Sequence, residues 1–98
     1  MVYMLLTVTE MQHVEGYRLR LTFNNGVVKE IDLSAHWNLL FGPVFQALRD
    51  PHFFSQASLP KDSETIEWPN GADLAAEFLY EIGETVAIME PAVVRASK

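Results

Sequence analysis

A chain of 98 residues, 49% hydrophobic, 11% aromatic and 20% charged, has the composition of one globular domain and excludes wholesale disorder. Surface scaling lets a chain of this size bury roughly 65% of its surface, enough for one core and not two. A net charge of −6 argues against nucleic-acid phosphate as a direct partner, and the absence of cysteine removes disulfides, thiolate nucleophiles and cysteine-ligated metal sites.

The charge is unevenly placed. Met1–Arg49 holds four acids and four bases, whereas Asp50–Lys98 holds nine acids and three bases and so carries the whole excess. No apolar run approaches the roughly 20 residues of a membrane-spanning helix. Met1–Thr9 is apolar but lacks the basic region and cleavage site of a signal peptide, so a cytoplasmic location is expected.

Leu5–Val14, rich in Leu, Val and Thr, reads as the first strand. After the Glu15-Gly16 turn, Tyr17–Asn24 alternates cleanly: Tyr17, Leu19, Leu21 and Phe23 point one way, Arg18, Arg20 and Thr22 the other. Such alternation belongs to a sheet with one buried and one wet face. A two-residue loop after this strand would bury Glu30 against Leu21 and Asp32 against Leu19. A three-residue loop, Asn24-Asn25-Gly26, instead pairs Leu19 with Ile31 and sets Arg20 and Arg18 against Glu30 and Asp32, which selects it. Lys29 then falls on the inner side opposite Leu21, which calls for a bulge or an edge position in the third strand, Val27–Leu33.

Ser34 is expected to cap a short helix, Ala35–Leu40. Gly42-Pro43 breaks it and starts another, Val44–Arg49, with Val44, Phe45 and Leu48 facing the core. Asp50-Pro51 repeats the cap-and-first-turn pattern for His52–Gln56. Ala57–Leu59 and Thr65–Trp68 read as short strands of a second hairpin. Pro69-Asn70-Gly71 turns the chain, Asp73 caps a helix over Leu74–Ile82, and Gly83 stands at its C-terminal end. Residues 84–98 contain Val86, Ala87, Ile88, Met89, Val93 and Val94, too apolar for a solvated tail, and Pro91 forbids one continuous helix through them. The expected architecture is α+β: one domain over residues 1–83, an antiparallel meander of about five strands with short helices on one face, and an apolar tail over residues 84–98 that packs in cis or joins two subunits.

Catalytic patterns are weak. Asp32, Ser34 and His36 are the residue types of a hydrolase triad, but they sit within one strand-to-helix junction where capping explains Ser34, and no nucleophile-elbow motif accompanies them. His13, His36 and His52 lack metal-ligand spacing, and no glycine-rich phosphate loop occurs, so no cofactor or metal is implied. Glu77, Glu81 and Glu84 lie along one flank of the last helix. They form either a solvated face or an acidic docking surface for a basic protein. In Trp68-Pro69-Asn70-Gly71-Ala72-Asp73 each residue has a structural use, with Trp68 plugging the core. Its surface turn is also the place for a contact with a partner or ligand, through Trp68, Asn70 and Asp73.

Several of these stretches together resemble a known family. Thr7-Val8 through the Gly16-Tyr17 turn, Leu19-Arg20-Leu21-Thr22-Phe23-Asn24-Asn25-Gly26, Ile31-Asp32-Leu33, Gly42-Pro43-Val44-Phe45, Leu48-Arg49-Asp50-Pro51 with Phe53-Phe54, and Ile66-Glu67 with the Trp68–Leu74 run are similar to the bacterial domain-of-unknown-function family numbered 2442. The similarity extends over about residues 4–82. It implies a small α+β domain, no known enzymatic activity and no catalytic residues to transfer. Members occur alone, fused to a C-terminal helix-turn-helix, or encoded beside another small protein in pairs read as toxin–antitoxin modules. Fifteen residues after Gly83, broken by Pro91, are too few for that fused unit. Two expectations follow: a non-catalytic interaction module with a small protein partner, antitoxin-like in role, and a homodimer through the tail. The alternative is a small-ligand-binding or enzymatic domain using residues 69–73.

Overall fold

In the computed structural model, which describes residues 5–89, the alternating segment forms the centre of a four-stranded antiparallel sheet. Strands β1 (Val8–Glu15), β2 (Arg18–Phe23), β3 (Val27–Asp32) and β4 (Glu84–Ile88) lie in that spatial order. The loop between β2 and β3 is Asn24-Asn25-Gly26, and the register pairs Leu19 with Ile31, Arg20 with Glu30 and Arg18 with Asp32. Gly26 serves twice. Its φ is +89°, and a Cβ there would run into the Met89 carbonyl where β4 closes onto the hairpin.

Leu19, Leu21, Phe23 and Ile31 project from the inner face of the sheet into one core, completed by Leu33, Leu48, Phe54, Ile66, Trp68, Leu74 and Leu79. The outer face carries Arg18, Arg20, Thr22 and Glu30. Lys29 does point inward, opposite Leu21. The register of β3 against β4 shifts beside it, and its ammonium lies 4.3 Å from the centre of the Tyr80 ring. A cation over an aromatic face is attracted by the ring quadrupole, which makes this position tolerable.

Short helices cover the core. Leu33–Leu39 is a 3₁₀-helix kinked at His36; α1 (Pro43–Gln46) runs into a 3₁₀ turn, Ala47–Arg49; α2 (Pro51–Phe54) and α3 (Ala76–Ile82) follow. Asp50 caps α2 by accepting the His52 N–H at 3.0 Å, with Pro51 in the first turn. The cap of the Leu33–Leu39 helix is Asp32 rather than Ser34: its carboxylate accepts both the Ser34 N–H and the Ser34 hydroxyl. Val44 is exposed rather than core-facing, because α1 is a single turn and only Phe45 and Leu48 are directed inward.

The sheet has four strands where about five were expected, because the second hairpin does not form a ladder. Ser58 and Glu67 exchange both backbone hydrogen bonds, each at 2.9 Å, and the pairing stops there apart from a bridge between Glu67 and Asp73. In an antiparallel pair the next doubly bonded positions would be Pro60 with Thr65 and Gln56 with Pro69. Each contains a proline, which has no N–H to donate, so the ladder is blocked on both sides.

The last helix starts at Ala76 rather than Leu74, and Asp73 caps nothing: Ala75 stands at the cap position without a side-chain bond. Ala72, Leu74 and Ala76 are buried while Asp73 and Ala75 are exposed, the period of an extended chain. Two bonds hold it extended, from the Trp68 N–H to the Ala72 carbonyl at 2.9 Å and from the Thr65 hydroxyl to the Leu74 carbonyl at 2.5 Å. Gly83 closes α3 with φ of −82°. Its role is clearance, since a Cβ would come within 2.7 Å of the Ile31 side chain. Among the described residues no helix is long and apolar enough to cross a membrane.

Candidate functional site

The residues of Trp68–Asp73 divide into a buried anchor and an exposed turn. Trp68 is 3% exposed, its ring centre lies 5.6 Å from that of Phe54, and its indole N–H donates to the Phe54 carbonyl at 3.0 Å. Asn70 is exposed, yet both ends of its amide are engaged. The side-chain oxygen accepts the Ala72 N–H at 3.0 Å, and the side-chain NH₂ donates to the Val44 carbonyl at 3.0 Å, tying the turn to α1. Gly71, at φ +91°, lets the chain reverse so that its N–H meets the Trp68 carbonyl. Asp73 is exposed, and its backbone forms an isolated bridge with Glu67. Trp68 and Asn70 thus hold the fold together.

The Val44 carbonyl that accepts from Asn70 belongs to a stretch rich in exposed apolar side chains. Leu39 is 48% exposed, Phe41 77% and Val44 44%, all at the junction between the first 3₁₀-helix and α1. Phe41 follows the last turn of one helix and precedes Gly42, whose φ of +96° redirects the chain. The Gly42-Pro43 break is readable in the sequence, whereas the exposure of Phe41 and the tie from Asn70 to the Val44 carbonyl are seen only in the folded chain.

Glu77 and Glu81 are exposed on α3, one turn apart; Glu84 continues the acidic run as the first residue of β4. They are not neutralised. Both ion pairs among the described residues are made by Glu30, to Arg20 at 2.7 Å and to Arg18 at 3.4 Å. The hydrogen bond from Arg20 holds the Glu30 carboxyl below its ordinary value of 4.5; desolvation opposes it, and the charges of Arg20 and Arg18 add to the lowering. Lys29 is turned toward Tyr80 and the Gly83 carbonyl, and Arg49 lies over the Trp37 ring at 5.6 Å. The bases of the first half are therefore engaged locally, and the acids from Asp62 to Glu84 form no ion pair among the described residues.

The Asp32, Ser34 and His36 trio does not assemble as a triad. The Ser34 hydroxyl donates to the Asp32 carboxylate at 2.6 Å and not to an imidazole, the bond such chemistry needs. Asp32 and His36 line a cleft of about 310 Å³ with Arg18, Glu30 and Glu84 over Ile31 and Ile82. His13 is elsewhere, bonded to the Gly16 carbonyl at 2.9 Å, and no group of three candidate metal ligands occurs among the described residues.

The family described as Protein of unknown function (DUF2442) matches residues 8–85. The chain belongs to this family. No curated protein and no solved structure matches it. The matched region runs from the first residue of β1 into the second residue of β4, so it covers three strands of the sheet, the start of the fourth and the helical cover. Val86–Met89, the apolar part of the chain's last described segment, lies beyond the match.

Proposed function

We propose that this chain is a non-catalytic protein-interaction module whose partner is a small basic protein, in the manner of the antitoxin half of a two-protein system. The observation that carries the reading is the charge arrangement: the bases of the first half are engaged by Glu30 and by aromatic rings, while Glu77, Glu81 and Glu84 stand exposed and unpaired among the described residues. A surface of one sign steers and selects a partner of the other. The exposed Phe41, with Leu39 and Val44 beside it in sequence, supplies apolar area of the sort that anchors protein contacts. The polar atoms of the Asn70 turn, by contrast, are engaged within the fold, which favours an interaction module over a ligand site at residues 69–73.

The test is capture of a partner by the tagged full chain from its native lysate, washed through a salt series. A stoichiometric basic protein that is released as salt rises, and that a Glu77→Gln/Glu81→Gln variant of unchanged melting temperature fails to hold, is the expected result. Capture indifferent to both salt and the double substitution would defeat the proposal.

A further inference from the structure

Asn25-Gly26 and Asn70-Gly71 are the same dipeptide in the same kind of turn. Each glycine lies in the left-handed region, at φ of +89° and +91°. Its N–H donates to the carbonyl three residues back, that of Phe23 or Trp68, at 2.9 Å. Each asparagine side-chain oxygen accepts an N–H two residues on, from Val27 or Ala72, at 3.0 Å. Asparagine before glycine is the sequence most open to loss of the side-chain amide, because no Cβ shields the glycine nitrogen.

The surroundings of the two glycines differ. Gly26 is half-buried, its carbonyl accepts the Met89 N–H at 2.7 Å, and the Met89 carbonyl fills the space beside its Cα. The β2–β3 ladder begins at once on both sides of that turn. Gly71 is exposed, and among the described residues nothing but its chain neighbours comes within 4 Å of the corresponding position. Its turn lies outside any ladder, between the isolated bridges of Glu67 to Ser58 and to Asp73.

We infer that Asn70-Gly71 is a site of spontaneous deamidation in the folded protein, and that Asn25-Gly26 is held against the same reaction by Met89. The Gly71 nitrogen gives up its proton and bonds to the side-chain carbonyl carbon of Asn70. The bond from that carbon to the side-chain nitrogen breaks, and ammonia leaves with a proton from solvent. Water then opens the cyclic imide at either carbonyl, leaving an aspartyl or isoaspartyl residue at position 70. One water is consumed and one ammonia released, without oxidant or cofactor. Ring closure swings the glycine peptide plane toward the asparagine side chain, so the Gly71 N–H must leave the Trp68 carbonyl. Position 71 has the open space for that swing. At position 26 the Met89 carbonyl occupies it, and the bond from the Met89 N–H resists the movement.

The product alters the fold at one point. A carboxylate at position 70 can still accept the Ala72 N–H, but it has no N–H for the Val44 carbonyl and sets a negative oxygen against it. The turn is thereby untied from α1 and its exposed Val44. At position 25 a carboxylate would meet the Tyr80 hydroxyl, which can donate to it.

The test is ageing of the full chain in warm, mildly alkaline buffer, beside the same chain unfolded in urea. Peptide mapping that separates asparaginyl, aspartyl and isoaspartyl forms reads positions 25 and 70. In native buffer position 70 should convert at least about tenfold faster than position 25, a ratio set by the local opening each turn needs. In urea the two should convert at comparable rates. Equal native rates, faster conversion at position 25, or a bias toward position 70 that persists in urea would overturn the inference. So would a native chain intact at position 70 when the unfolded chain has fully converted. Asn70→Asp and Asn25→Asp isolate the consequence. The first should lower the melting temperature and shift the α1 amides, and the second should leave both unchanged. Unshifted α1 amides in Asn70→Asp would contradict the untying.

Discussion

The β2–β3 hairpin and the stretch from Ala57 to Ala75 both deliver fully buried side chains to the same core, Leu19, Leu21 and Phe23 from one and Ile66 and Trp68 from the other. They do so by different means. In the hairpin, repeated backbone bonds fix the register and each second side chain is buried as a consequence. In the later stretch prolines stop the ladder after one pair. Its course is set by individual bonds from side chains to distant carbonyls: Thr65 to Leu74, Trp68 to Phe54 and Asn70 to Val44. A ladder distributes its stability over many equivalent bonds, whereas a segment tied at a few points depends on each of them.

The strongest way to break that contrast is Trp68→Ala. It removes a buried ring and leaves the Phe54 carbonyl without its indole donor, and should cost about 3–5 kcal/mol in chemical denaturation. Asn70→Ala comes next. Loss of the bond to Val44 and of the turn's bond to Ala72 should cost about 1–2 kcal/mol, with amide shifts in α1 as well as in the turn. If only the turn shifts, the tie to α1 is not structural.

On the hairpin side, Glu30→Gln should have the smallest effect, because Arg18, Arg20 and Glu30 lie on the wet face and the ladder remains. Its pH dependence follows from the lowered carboxyl. The ionised form is favoured by folding, so the stabilisation is fully present above the unfolded carboxyl value and is lost as pH falls through the lower folded value. Wild type and variant should therefore differ modestly at neutral pH and converge in acid, as thermal melts at several pH values would show.

The same contrast explains what could be read from the residues in order. The hairpin was legible to the register because alternation and opposed charges are local properties: only one loop length puts Arg20 against Glu30 and Leu19 against Ile31. Asp50-Pro51 as cap and first turn of α2 was equally local. The later stretch was not legible in the same way. Thr65–Trp68 has the composition of a strand, and the block to its ladder appears only when Pro60 and Pro69 are placed in register with their would-be partners. Asp73 before Leu74 reads as a helix cap, but Ala72, Leu74 and Ala76 are drawn into the core as an extended chain by bonds from Trp68 and Thr65. The acidic flank was visible as a run of glutamates. That the bases of the first half are engaged elsewhere, and that Phe41 points outward, are tertiary facts.

Trp68 and Asn70 are engaged within the fold, and the proposed recognition of a partner lies with the exposed acids of α3. The most direct test is partner capture by three forms of the chain at a temperature where all are folded: wild type, Asn70→Ala, and Glu77→Gln/Glu81→Gln. Capture should persist in Asn70→Ala and fail in the double variant. Capture that fails in Asn70→Ala and persists without the two glutamates would move the contact to the turn and contradict the account.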